Sequence, residues 1–174
     1  MTDRGPERGE DPRQAPFTAY RTTVPESWID YNGHMNDACY AVACTHASEA
    51  FLDALGLGEA YRAKTGRTTY TVEAHLRYLK EAALGDELRA RTLLVDADPK
   101  RIRVHHSLLG SCGDEIATGE FLYLHVNQES GRVEPMPEDR MALVADVLAA
   151  HAGQPRPTHL GLGVGAGRRA GPSP

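Results

Sequence analysis

The stretch Trp28-Ile29-Asp30-Tyr31-Asn32-Gly33-His34-Met35-Asn36 decides how this chain is read. It gathers a carboxylate (Asp30), an imidazole (His34) and two carboxamides (Asn32, Asn36) around one glycine, Gly33, just ahead of a long helical pattern. A helix start carries backbone N–H groups without intrahelical partners and a partial positive charge. Such a start can stabilise an oxyanion, and here a base stands beside it in the sequence. The arrangement points to chemistry at an acyl carbonyl.

The pattern after the stretch predicts a helix from Asp37 to Leu55, with Tyr40, Cys44, Ala47, Phe51 and Leu55 on one face. Asn36 suits its N-cap and Gly56 its C′ position. Alanine on most sides and few charges suggest a helix wrapped by other structure. Before the stretch, Phe17 to Val24 reads as a strand ended by Pro25. Beyond the helix, strands are predicted over Thr69–Lys80, Leu88–Asp96, Arg101–Leu109 and Glu115–Asn127. In the first, Tyr70, Val72, Ala74, Leu76 and Tyr78 should share one face, and Thr71, Glu73, His75 and Arg77 the other. In the last, Leu122, Leu124 and Val126 should lie together. The short connections fit an antiparallel meander. Pro137 then opens a last helix to about His151, as a residue at N1. One long helix with an antiparallel sheet curled around it is an α+β domain, and its open edges favour a dimer.

The 174 residues carry a net charge of −5, with −1 over residues 1–19 and +3 over 152–174, leaving −7 between them. A core this acidic argues against nucleic acid as a partner. No apolar run reaches membrane-spanning length, and the first residues show no apolar leader, so neither a membrane nor a secretory signal is expected. Three cysteines without a CxxC fit thiols in a reducing cytoplasm. Composition predicts disorder over 1–15, a folded unit over 16–151 and a flexible Gly/Pro/Arg tail over 152–174.

Asp30-Tyr31-Asn32-Gly33-His34-Met35-Asn36 ahead of a helix, with strands behind, resembles the hotdog-fold thioesterases of the 4-hydroxybenzoyl-CoA thioesterase type. It also resembles the Asp-x-Asn-x-His-x-Asn stretch of plant acyl-carrier-protein thioesterases. Together with Tyr70-Thr-Val-Glu-Ala-His-Leu-Arg-Tyr-Leu79 it is similar to the thioesterases associated with bacterial carnitine dehydrogenase, a family that cleaves betainyl-CoA. The resemblance implies a hotdog fold, a cytoplasmic acyl-CoA thioesterase, a homodimer or dimer of dimers, and no cofactor beyond the CoA of the substrate. It implies Asp30 as nucleophile or general base, and Gly33, Asn36 and Asp37 at the helix start that polarises the thioester carbonyl. His34, Asn32 and Glu73 match the further catalytic positions of the plant type. Asp37 departs from the pattern by placing a carboxylate where the oxyanion would form.

Plainer readings stand beside these. Asp-x-x-Gly is a common turn, Asn36 suits a cap, His34 suits a loop, and Glu73 lies on a polar strand face with His75 and Arg77. No histidine pair has ligand spacing, so no metal is expected. Cys39 and Cys44 suit helix packing, with Cys39 near enough to the helix start to be weighed as a nucleophile. Arg62, Lys64, Arg67, Lys100, Arg101 and Arg103 are candidate phosphate contacts or surface charges. For a trimethylammonium group, Trp28 and Tyr31 are the expected aromatic faces, and Tyr40, Tyr70 and Tyr78 the expected core residues. The rivals are a hotdog enoyl-CoA hydratase, whose Asp-x-Asn-Pro-x-His pattern is missing, and a non-catalytic acyl-CoA-binding module.

Overall fold

A computed structural model describes residues 10–162. A short strand β1 (Arg21–Thr23) precedes the central helix α1 (Asp37–Ala54) and a two-turn helix α2 (Glu59–Thr65). Four long strands follow: β2 (Arg67–Tyr78), β3 (Glu87–Asp98), β4 (Arg101–Leu109) and β5 (Glu115–Asn127). The chain closes with β6 (Arg132–Val133) and α3 (Glu138–His151). The sheet is antiparallel in the order β1-β3-β4-β5-β2, with β6 pairing β5.

The helix forms where the sequence predicts it. The Asn36 side chain caps it by accepting from the Ala38 N–H at 2.9 Å. Gly56, at φ +67°, ends it in the left-handed conformation that glycine adopts without steric cost. Tyr40, Cys44, Ala47, Phe51 and Leu55 are all buried against the concave face of the sheet. The opposite stripe (Ala38, Val42, Thr45, Glu49, Asp53) is exposed, and the antiparallel sheet curled over the buried side of the long helix is the expected α+β arrangement. Pro137 takes the N-cap position of α3, one residue earlier than expected. The helix α2 and strand β6 were not legible, being too short for a periodic signal.

Two expectations about the sheet are corrected. The four strands do not form one meander: β3, β4 and β5 do, while β2 lies beyond β5. The connection Leu79–Asp86 therefore crosses the end of the sheet. Eight extended residues reach about 26 Å, ample for the about 14 Å of three strand spacings. A bulge between Thr71 and Glu73 also splits the faces of β2. Tyr70 pairs with Leu124 on the convex face, whereas Ala74, Leu76 and Tyr78 pair with Phe121, Gly119 and Ala117 facing α1. An extra residue at a bulge inverts the alternation beyond it. Likewise the core side of β5 carries Phe121 and Tyr123, while Leu122 and Leu124 lie on the convex side.

Both ends of the described chain are anchored. Residues 10–15, expected to be disordered, pack on α3: buried His151 donates from Nε2 to the Pro12 and Gln14 carbonyls at 2.9 and 3.2 Å. Its Nδ1 accepts the Leu94 N–H at 2.9 Å. In the segment after α3, the Gly161 N–H donates to Glu120 Oε2 at 2.7 Å across the convex face. The expectations for residues 1–9 and 163–174 fall outside the described residues.

Candidate active site

Ile29 and Met35 bridge as the two arms of a tiny hairpin, and the Asp30 N–H donates to the His34 carbonyl at 3.0 Å. The loop between them is Tyr31-Asn32-Gly33, closed by the Gly33 N–H on the Asp30 carbonyl at 3.0 Å. Such three-residue loops end on a residue in the left-handed region. Gly33 supplies it at φ +81°. Asp30 Oδ1 accepts the Asn32 N–H at 2.7 Å, so this carboxylate is a turn residue as well as a candidate catalyst. Its Oδ2 takes no hydrogen bond among the described residues.

The hairpin delivers the chain into α1 through the Asn36 N–H, which donates to the Trp28 carbonyl at 2.8 Å. The Ala38 N–H donates to Asn36 Oδ1 and Asp37 Oδ1, at 2.9 and 3.0 Å, and the Cys39 N–H to the Asn36 carbonyl at 2.9 Å. Among the described residues the Asp37 N–H is left without an acceptor. The Asp37 carboxylate is turned to its own helix end and exposed. It offsets the helix dipole rather than pointing into the packed interior.

The opposite wall is the crossing connection that the meander reading missed. The Tyr40 hydroxyl donates to the Lys80 carbonyl at 3.3 Å and accepts the Ala82 N–H at 3.1 Å. The Met35 N–H donates to the Ala82 carbonyl at 2.8 Å. Between hairpin and connection lies a cavity of about 840 Å³, lined by Asp30, Tyr31, Asn32, His34, Asn36 and Asp37 on one side. Tyr40, Tyr78, Leu79, Lys80 and Glu81 line the other. The rings of Tyr40 and Tyr78 meet edge to face, with centroids 5.4 Å apart at 76°. His34 Nε2 stands 3.2 Å from Glu81 Oε2 at the rim. Lys80 Nζ is held 2.7 Å from Asp114 Oδ2. Burial pushes the Tyr40 phenol up from its ordinary value, opposed by the Ala82 N–H. Burial also raises the Tyr78 phenol, and the charge of Asp37 adds to it.

The structure thus brings Asp30, Asn32, His34, Asn36 and Asp37 to one cavity, with Gly33 shaping the loop. It does not bring Glu73 there. Glu73 pairs with Leu122 on the convex face and lines a second cavity with His75, Arg103 and Glu120. Trp28 is half-buried against the core and lines neither cavity, whereas Tyr31 is 96% exposed at the loop tip. Tyr40 is buried in the core as expected, whereas Tyr78, also expected there, is 51% exposed, and the two meet at the cavity. Their spacing carried no sign of this, because the crossing connection is what opens the cavity beside them.

The other expectations find their places. Burial, then the charge of Asp37, raises the Cys39 thiol, so it holds little thiolate at neutral pH and suits no nucleophile. Cys44 is buried and pushed up to about 12. His105 and His106 point to opposite faces; His106 Nε2 and Nδ1 bond the Ser48 and Thr92 hydroxyls at 2.7 and 2.9 Å. His125 bridges the Tyr61 hydroxyl and the Glu134 carbonyl, each at 2.9 Å. Among the described residues no group of three or more His, Cys, Asp or Glu is placed to hold a metal. Arg62, Arg67, Arg101 and Arg103 are ion-paired to Glu59, Glu134, Asp98 and Glu120, which leaves them less free for phosphates. Among the described residues no helix is long and apolar enough to cross a membrane.

Comparison with known proteins gives one consistent neighbourhood. The family model described as the thioesterase-like superfamily matches residues 24–149. The chain is 35% identical over 150 residues to the betainyl-CoA thioesterase of Pseudomonas aeruginosa, covering 86% of this chain and 94% of that protein. It is 39% identical over 153 residues to the L-carnitine dehydrogenase/betainyl-CoA thioesterase of Agrobacterium fabrum, covering 88% of this chain. The match spans only 31% of the Agrobacterium protein. Among solved structures, a Staphylococcus aureus protein in complex with CoA superposes with a TM-score of 0.80 at 27% identity. That match covers 86% of this chain and 96% of the other.

Proposed function

The chain belongs to the thioesterase-like superfamily, and from that premise we propose that it hydrolyses an acyl-CoA thioester, with betainyl-CoA the first substrate to try. The observation that carries the reading is one cavity lined by Asp30 and Asp37, whose N–H at the start of α1 has no acceptor among the described residues. The thioester carbonyl oxygen takes the Asp37 N–H, where the developing negative charge meets the helix dipole. Asp30 draws a proton from water, and the hydroxide adds to the carbonyl carbon. Collapse of the tetrahedral oxyanion breaks the C–S bond, and the departing CoA sulfur takes the proton back from Asp30. On the alternative route the Asp30 carboxylate itself attacks and expels the CoA thiolate, giving a mixed anhydride that water opens at the Asp30 carbonyl carbon, so one water oxygen stays on Asp30. His34, paired with Glu81 at the rim, and the Asn32 carboxamide are left to position the acyl group.

The test is release of free thiol from a panel of acyl-CoAs by the wild type and Asp30→Asn. Removing a general base or nucleophile costs about 10²–10⁴-fold in rate. Equal rates for the two proteins would remove Asp30 from the mechanism. Single turnover in heavy-oxygen water labels Asp30 on the covalent route alone.

The same reading includes a homodimer or dimer of dimers in the cytoplasm. It is supported by the open edge of β2, where Tyr70 and Val72 are 46% and 51% exposed, and by the free thiols of Cys39, Cys44 and Cys112. Sedimentation equilibrium should give at least twice the 18.9 kDa chain mass. A monomer at micromolar concentration contradicts it.

A further inference from the structure

Resting on the hydrolase reading, we infer that Tyr78, with Tyr40 and the carboxylate of Asp37, forms the corner of the cavity that selects an acyl group bearing a fixed positive charge.

The cavity has a sign. Three carboxylates line it: Asp30, Asp37 and Glu81. Its one lysine, Lys80, pairs with Asp114 at 2.7 Å, and His34 stands 3.2 Å from Glu81. Carboxylates beside a developing oxyanion are a liability for a neutral or anionic acyl chain. They become an asset when the acyl group is itself a cation, because they attract the ammonium into the site while that ammonium, one methylene from the carbonyl carbon, stabilises the oxyanion from the substrate side. Asp37, the departure from the family pattern, thereby gains a role.

The cavity also has a shape. Tyr40 and Tyr78 meet edge to face, and Tyr40 is only 4% exposed, so the open ring at this corner is that of Tyr78, 51% exposed. A trimethylammonium group gains from an aromatic face beside it. Tyr40 is fixed by its bonds to Lys80 and Ala82 and backs the Tyr78 ring. Tyr31, expected as a cage residue, lines the same cavity from the loop tip, whereas Trp28 packs against the core.

The experiment compares betainyl-CoA with its neutral isostere, 3,3-dimethylbutyryl-CoA, which replaces the quaternary nitrogen by carbon. The intrinsic reactivity of the two thioesters differs, so the readout is the change in the ratio of their kcat/KM values between variants. Tyr78→Leu should lower the betainyl preference by about 3- to 30-fold, and Tyr78→Phe, which keeps the ring face, should hold it. Asp37→Asn should lower the same ratio by about 10-fold, less at high salt. Calorimetry with the ketone analogues that carry a methylene between sulfur and carbonyl reads the same ratio as binding, independent of turnover. Equal losses on both esters, or a ratio that Tyr78→Leu leaves unchanged, overturns the inference while the hydrolase reading stands. No thiol release from any ester, with the binding preference intact and dependent on Tyr78, overturns the hydrolase reading and leaves the corner.

Discussion

Gly33 shows how little at the residue scale is needed to hold the site together. A Cβ there would meet nothing within 4 Å, so crowding is not the reason for glycine. The reason is φ +81°, where an L side chain strains its own backbone by about 1–2 kcal/mol. Gly33→Val should therefore leave the core intact, lower the melting temperature by only a few degrees, and shift the Asp30 carboxylate enough to cost about 10-fold or more in thiol release. Circular dichroism melts beside the thiol assay measure both, and wild-type turnover contradicts the expectation. Asp30 illustrates why one residue supported two readings. One oxygen closes a turn through the Asn32 N–H and the other takes no hydrogen bond among the described residues, so the turn reading and the catalytic reading can rest on different atoms of one cavity-lining side chain.

Among elements, the contact of β5 with α1 sets the depth of the fold. A Cβ at Gly119 would lie 2.9 Å from Cys44 Sγ and 2.7 Å from a ring carbon of Phe121. Gly119→Ala should push the sheet off the helix and destabilise the protein by about 1–3 kcal/mol, read as a lower urea midpoint with an unchanged slope. A midpoint within error of wild type would show that the sheet yields at no cost. The elements themselves were legible where the pattern was long: α1 with its cap and C′ glycine, and the four main strands to within two residues. The bulge at Val72 and the crossing of Leu79–Asp86 were not, because both are set by which strand lies alongside β2, and local alternation carries no record of that.

Across the whole molecule, buried histidines link stability to pH. His106 is fully buried between Ser48, Thr92 and Phe121, and desolvation pushes it down to about 3, with the nearby His105 adding to the shift. Burial also lowers His105, against the pull of Glu115 and Glu120, and His151, against the Pro12 and Gln14 carbonyls. A folded pKa below the unfolded 6.5 means that the unfolded chain binds the extra proton first. The contribution of each histidine is complete above pH 6.5 and is lost as pH falls; for His106 the loss continues to about pH 3. Within that window each costs up to about 1.4 kcal/mol per pH unit. Urea unfolding between pH 7 and 4 should show that fall, and His106→Gln should flatten it by about one proton's worth. An unchanged slope in the variant would exclude His106 as a source.

Local pattern by itself determined the helix, its caps, the strands and the chemistry of residues 30–37, because caps, turns and alternation depend on neighbours a few positions apart. Resemblance of that stretch to a thioesterase family was carried by the same local residues. Tertiary structure alone decided that β2 lies beyond β5, that Glu73 faces away from Asp30, and that Tyr40 and Tyr78 rather than Trp28 border the cavity. Those outcomes depend on where a crossing connection passes over the end of a sheet. Strand order is fixed by burying the helix face against the whole sheet at once, and that is a sum over distant residues.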